Sequence, residues 1–552
     1  ASIPVSAEEI SAPTEETQPI QTEPAVTELS ETVPEETQAA VTVPEETQAA
    51  VTVPEGTQPA VTVPEETQPA VTVPEETQPA DTVPEETQPA ETISVETAVS
   101  QAPAVAAKVL SGTIGENLSW SLDDEGTLTI SGTGSMPSNW GTQSAPWYAS
   151  RDQVKALVVE SGVTSIGKCA FYRCSNLSSV SLTEGLTSIE DYAFQYCSAL
   201  SSVTIPSGVV SIGASAFADT GLTSVTLLEG LESLGGSVFS SCDNLTSVVL
   251  PQSLTSIGAS AFSGCGKLIT VNLPAGLTEI PKALFSSAGL TSITIPEGVT
   301  AIGENAFNWC QKLNNVTLPS TLKTIGDSAF KYCEKLAAVT LPEGLTTVGA
   351  YAFDNCSSMA TLILPSTLTS IGEGSFRQCR GLTTLSIPGT IGVIPKGAFS
   401  YCQDLVALTI GEGITSIGEE AFTVCRALRE ATIPSTVTSI GAGVFADCDN
   451  LAAIHVAEGN ETFASQDGVL FSVDGKTLLQ YPAAKTGAEY VIPASVTALS
   501  EKAFSESKNL TKVTIPGSIS VVPHRAFWGS WSLTEVVLNE GITEIGGYAF
   551  YG

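Results

Sequence analysis

Residues Asn176 to Cys197 read NLSSVSLTEGLTSIEDYAFQYC, and this segment recurs with small changes down most of the chain. Leu177, Val180 and Leu182 have the spacing of a short strand with its apolar side chains turned inward. Thr183-Glu184-Gly185 follows, or more often a form such as Pro206-Ser207-Gly208. Proline has no amide donor and ends the strand, and glycine permits the sharp reversal. Leu186 and Ile189 begin a return path, and the Ala193-Phe194 pair closes the coil.

Sixteen of the 18 phenylalanines fall on one ladder built on that last position, from Phe171 through Phe194, Phe262, Phe330, Phe376 and Phe422 to Phe550. Twelve of its fifteen intervals are 23 residues, two are 22, and one is 59, which is 23 plus an insert of 36. Such a period means one supersecondary unit stacked many times, each copy burying its apolar face only against its neighbours. Twelve of the sixteen ladder phenylalanines follow an alanine, so a small residue beside a large one lets the coils stack without voids. Stacked in register, the strands predict one long parallel sheet with neighbours ~4.8 Å apart, and sixteen coils running roughly 75 Å.

The pattern L-x-x-V-x-L-P-x-x-[VL]-T-x-I-G-x-x-A-F-x-x-C resembles the BspA-like leucine-rich repeats of bacterial surface proteins, from about Val154 to Gly552. The resemblance implies a curved, right-handed solenoid, mainly β with short turns and 3-10 segments. It also implies a surface adhesion or interaction role, and supplies no catalytic residue. Ser111 to Tyr148 resembles the N-terminal cap of related anaerobe surface proteins. The expected organisation is therefore a spacer over 1–107, a β-hairpin cap over 108–153 and the solenoid over 154–552.

Residues 1–107 hold 21 acidic residues, no lysine or arginine, no aromatic residue and 15 of the 32 prolines. A decapeptide close to VPEETQPAVT recurs there from Val33, Val43, Val53, Val63, Val73 and Val83. Such a segment has no core to form and predicts an extended, disordered tail, either a spacer or a tolerated repeat tract. The whole chain carries a net charge of −37, a sign that opposes nucleic acid and anionic lipid. No apolar run approaches the ~18 residues of a membrane span. The chain opens at Ala1 as a processed secreted protein does, and no polar coil follows Phe550, so it is expected to continue past Gly552.

Eleven of the 12 cysteines, among them Cys197, Cys265, Cys333, Cys379 and Cys425, stand three residues after a ladder phenylalanine. The two shortened repeats, FADTGL and FSSAGL, lose a residue in this turn and the cysteine with it. The thiol is thus tied to the turn, and a row of parallel side chains suits free buried thiols better than disulfides or metal. Cysteines kept reduced outside the cell fit an anaerobic habitat. Cys169, two residues before Phe171 where other repeats carry Tyr192, Tyr351 or Tyr548, is expected to be exposed, and is either a plain small-residue substitution, the reading favoured, or the one candidate reactive thiol. His455 and His524 lack metal-type spacing, no nucleophile or phosphate-binding motif occurs, and no cofactor is expected. Asp123-Asp124-Glu125-Gly126 and Asp474-Gly475 read as hairpin turns.

The outward rows of the strand, such as Ser202 and Thr204 or Asn315 and Thr317, form a Ser/Thr face poor in the aromatic and arginine anchors of tight interfaces. Aromatic residues collect instead just before the cysteine row, at Tyr196, Trp309, Tyr332 and Tyr401, with Tyr172 and Trp528 one position earlier. Trp309 and Tyr332 are on successive coils and are expected to stack. These four are the candidate binding residues, for a sugar ring or a partner loop, against the alternative that they only cover the apolar edge of the turn. The insert, about residues 459–490, predicts a projecting hairpin that either contributes to binding or adjusts curvature.

The expected function is non-enzymatic: a secreted or wall-attached surface protein binding a protein or glycan on host or neighbouring cells. The alternative is a targeting module of a larger extracellular enzyme whose catalytic domain lies beyond residue 552.

Overall fold

The computed structural model describes residues 109–552, so the tail expected over 1–107 and the first residue of the expected cap lie outside the described residues. The described part opens with an antiparallel meander of β1 (Leu110–Ile114), β2 (Leu118–Leu122) and β3 (Thr127–Gly132). Strand β4 (Gly134–Ser135) follows, then β5 (Ala156–Val159) pairs in parallel with β3 and opens the solenoid. Trp147 is buried and stacks on Phe171 with ring centroids 5.6 Å apart, so the capping segment supplies the first rung of the aromatic ladder.

Neighbouring coils are held together by up to three rows of backbone hydrogen bonds. The first row is the expected one, with Val203, Val225, Val248 and Val271 in parallel register and buried or half-buried. A second row is formed by two-residue strands where the sequence suggested only a return path. Ile166 in β6 (Val163–Ile166) pairs with Ile189, then Ile212, Leu234 and Ile257 continue the row.

The third row lies in the turn around each ladder phenylalanine. Tyr192, Phe194 and Tyr196 donate their backbone N–H to Ala214, Ala216 and Ala218 of the next coil, at 2.9, 2.7 and 3.0 Å. The intervening Ala193, Gln195 and Cys197 donate three residues back, to Glu190, Tyr192 and Phe194. Alternation of this kind requires left-handed backbone, and the residues two before and two after all sixteen ladder phenylalanines have positive φ. Most are not glycine; Tyr196 has φ 64° and Trp309 φ 62°. A left-handed L-residue costs about 1–2 kcal/mol, which the inter-coil bonds must offset.

Inside, the rings from Phe171 to Phe445 stack face to face at 5.0–5.7 Å. Beside them the thiol of each cysteine from Cys197 onward donates to the carbonyl of the ladder phenylalanine one coil earlier, as Cys333 does to Phe307 at 3.2 Å. Ser530 makes the same bond to Phe504 at 2.8 Å, and Thr220 takes the place in a shortened repeat, bonding Phe217. All 12 cysteines are free and buried. Cys169 is among them, at 3% exposure, which corrects the expectation that it is exposed and leaves it a plain substitution. Its backbone (φ 56°) is that of Tyr192, Tyr351 and Tyr548, but its short side chain stays beneath the edge that those rings reach past, and burial raises its pKa.

The insert does not project. Phe463–Gln466, Val469–Ser472 and Thr477–Gln480 form an antiparallel meander around the expected Asp474-Gly475 turn, and its last strand joins the second row by pairing with Ala498–Leu499. Successive residues of a strand face opposite ways. Leu470 accordingly belongs to the core running back to the N-terminal meander, while Val469 and Phe471 belong to the core of the last coils. The meander is a wall between two cores. Tyr481, 23 residues before Phe504, takes the ladder position in this coil and stacks on Phe504 at 5.0 Å.

Candidate functional site

The left-handed residue two after each ladder phenylalanine points its side chain along one edge of the solenoid, and there the four sequence-predicted binding residues lie. Trp309 is 46% exposed, and its ring stacks on that of Tyr332 with centroids 4.3 Å apart and planes at 29°. The backbone sets this contact: Trp309 donates its N–H to Lys331 and Tyr332 donates to Asp354, both at 2.8 Å, so the two side chains leave neighbouring coils in parallel.

Beneath the rings sits a charged cluster that the spacing of aromatics does not reveal. Asp354 is fully buried, and Arg377 grips it with Nε to Oδ1 and Nη2 to Oδ2, each 3.0 Å, while Lys331 Nζ lies 3.3 Å from Oδ2. Lys331 also faces the rings of Tyr332 and Tyr351, at 5.3 and 5.0 Å, and Arg377 faces Tyr351 at 5.4 Å. Tyr351 donates its hydroxyl to Glu373 at 2.7 Å, a bond that raises the phenol's pKa. Cations held against ring faces in this way fix the aromatic side chains in place. Four successive coils therefore present a preorganised strip of Trp309, Tyr332 and Tyr351 over a salt-bridged base.

The other two predicted residues are not in this strip. Tyr196 is 37% exposed, five coils away or about 24 Å at ~4.8 Å per coil. It meets Tyr172 edge-on at 5.7 Å under the guanidinium of Arg173, a smaller copy of the same device. Tyr401 lies three coils beyond Tyr332 and opens onto a recess that it shares with Glu420, Asp447, Lys502, Arg525 and Trp528. The predicted structural ladder, Phe194, Phe262, Phe330, Phe376 and Phe422 with Cys197, Cys265, Cys333, Cys379 and Cys425, is wholly buried and presents nothing to a ligand. Burial pushes these thiols out of their ordinary range; Cys310 and Cys402 of the same row are raised to about 12.

His455 and His524 stand apart, the latter edge-on to Tyr548 at 5.8 Å. Among the described residues no group of three His, Cys, Asp or Glu is placed to hold a metal ion, and no helix is long and apolar enough to cross a membrane.

The recess is the part that sequence reading missed. The third hydrogen-bond row leaves Phe422 for Val444 and resumes only from Tyr481 to Ala503; no such bond leaves Phe445 among the described residues. Tyr481 is followed by Pro482 and lacks the left-handed turn, so the edge is notched at this coil. Side chains close the gap: Lys502 ion-pairs with Glu420, and Ser505 donates to Asp447.

A six-copy family model described as the BspA type leucine rich repeat region matches residues 147–249, 232–360, 278–406, 346–466 and 486–552. Among solved structures, a leucine-rich repeat protein from Bacteroides ovatus is 22% identical over 74% of this chain and 94% of its own, with a TM-score of 0.49. A leucine rich cell surface protein from Faecalibacterium prausnitzii is 21% identical over 78% and 95%, with a TM-score of 0.35. A leucine rich repeat protein from T. pallidum is 27% identical over 37% and 78%, with a TM-score of 0.27. No curated protein matches the chain.

Proposed function

The chain belongs to the BspA-type leucine-rich repeat family, and on that premise we propose that it is a non-enzymatic interaction scaffold, held at a bacterial cell surface and wall, that binds proteins or glycans of host or neighbouring cells. The observation that carries this reading is the strip of Trp309, Tyr332 and Tyr351, exposed or half-buried, with Trp309 stacked on Tyr332 and the two tyrosines faced by Lys331 and Arg377. Rigid aromatic faces at a regular spacing bind with little ordering cost. The Ser/Thr face offers no such anchors, so the edge, and not the broad sheet, is the binding surface.

The test is binding of the full chain to a glycan array and to immobilised host surface proteins, against the Trp309→Ala/Tyr332→Ala double variant. A ligand whose binding falls at least tenfold in the variant, with an unchanged melting midpoint, supports the reading. Equal binding by both proteins refutes it.

A further inference from the structure

The notch beside the insert encloses a recess of about 330 Å³. Its walls come from five coils, with Tyr401 and Trp528 as aromatic faces and Glu420, Asp447, Lys502 and Arg525 as charged groups. Glu420 and Lys502 neutralise one another. Arg525 and Asp447 are left without an ion-pair partner among the described residues. Arg525 has its guanidinium 4.9 Å from the centre of the Trp528 ring, and its Nε is buried with no acceptor. The recess thus brings together one cation and one carboxylate, neither of them ion-paired, two ring faces and the hydroxyls of Thr423 and Ser505.

We propose that this recess is a binding subsite for a carboxylate-bearing sugar, a pyranose of the uronic or sialic acid type. The carboxylate pairs with Arg525, whose planar fork suits a carboxylate better than any other anchor here. Sugar hydroxyls donate to Asp447, and the apolar face of the ring lies on Tyr401 or Trp528. A neutral sugar leaves the cation unanswered, and a simple anion leaves both rings and Asp447 unused. The proposal rests on the reading of the chain as a binding scaffold but not on the Trp309 strip, whose Tyr332 lies three coils before Tyr401 along the aromatic ladder.

The test is calorimetric titration of the full chain with glucuronic acid, N-acetylneuraminic acid, glucose, the methyl ester of glucuronic acid, and alanine. At least one acid sugar is expected to bind tenfold or more tightly than glucose, and, where that sugar is glucuronic acid, tenfold or more tightly than its ester. Arg525→Gln and Trp528→Ala should each abolish that difference, and Trp309→Ala should leave it unchanged. The ester comparison needs no variant, so a folding defect cannot mimic the result. Acid sugars that bind no better than glucose, a glucuronic acid signal that its ester matches, or alanine competing equally overturns the proposal. Such a failure, with the Trp309/Tyr332 variant still defective on the array, would leave the scaffold reading standing.

Discussion

Arg377 holds Asp354 through two parallel hydrogen bonds of 3.0 Å, and the carboxylate they hold has no exposed surface. Among the described residues Lys331, at 3.3 Å, is its only other cation, so Arg377→Leu leaves a buried charge half answered. The expected loss is about 1–3 kcal/mol, below the cost of a deep ion pair because the arginine itself is partly exposed. Denaturant melts would read it, and a loss below about 0.5 kcal/mol would mean water solvates Asp354.

Phe330 lies between Phe307 and Phe353 at 5.0 and 5.1 Å and is fully buried. Phe330→Ala opens a cavity between two coils that cannot close without breaking register, and should cost about 3–5 kcal/mol. A drop under about 1 kcal/mol in the same melts would show that the coils collapse onto the gap.

The thiol of Cys333 donates to Phe307 in the preceding coil, and Ser530 does the same job toward Phe504. Cys333→Ser should therefore be close to neutral. Cys333→Ala loses both that donor and the buried sulfur, costing about 1–2 kcal/mol. In the native protein all 12 thiols should resist alkylation until denaturant is added. Rapid labelling of Cys169 without denaturant would contradict its burial.

Glu412 accepts the N–H and hydroxyl of Ser435 in the next coil, and Glu229 accepts the N–H groups of Gln252 and Ser253. These backbone bonds hold both carboxyls below the ordinary glutamate value of 4.5. A pKa depressed by folding gives stabilisation that is complete above the unfolded value and is lost as pH falls through the folded one. Glu506, raised chiefly by burial, contributes in the opposite sense. The melting midpoint should fall below about pH 4.5, and fall less steeply in Glu229→Gln/Glu412→Gln. An identical slope in the variant would show that these turns carry no pH dependence.

Ala283 has φ 54° at the position two before Phe285. In ordinary backbone Ala→Gly costs about 0.5–1 kcal/mol, but here glycine also removes left-handed strain of about 1–2 kcal/mol. Ala283→Gly should thus be neutral or stabilising. A clear fall in midpoint would mean that the turn is not left-handed in solution.

The 23-residue spacing of phenylalanine was enough to read a solenoid, its inward valines and the buried thiol row, because each depends on repetition alone. The second hydrogen-bond row was hidden by its brevity, since Ser188 and Ile189 are too short a run to show alternation. The left-handed turn was hidden for another reason: Cys169, Tyr192, Ser215 and Trp309 share no glycine-like signature, and only the inter-coil bonds impose the conformation. The stacking of Trp309 on Tyr332 followed from register, but Asp354 under them did not, since one buried aspartate has no periodicity. The recess depends on Lys502 meeting Glu420 across 82 residues and on Tyr481 standing in for phenylalanine. The distance from Tyr481 to Phe504 is the repeat itself, and was the available signal.

The left-handed pair around every ladder phenylalanine has an evolutionary consequence. Because the conformation comes from hydrogen bonds between coils, the side chain at these places is largely released from the demands of the core. Tyrosine, tryptophan, arginine, aspartate, serine and valine all occupy the position two after the phenylalanine. Mutation can therefore rewrite the edge one coil at a time while the scaffold is conserved beneath it. Unequal exchange between near-identical repeats would shuffle those edge residues into new orders without touching the fold. A lineage facing a changing set of partners inherits, in such a chain, a surface that can be re-lettered faster than the protein can be unfolded by the attempt.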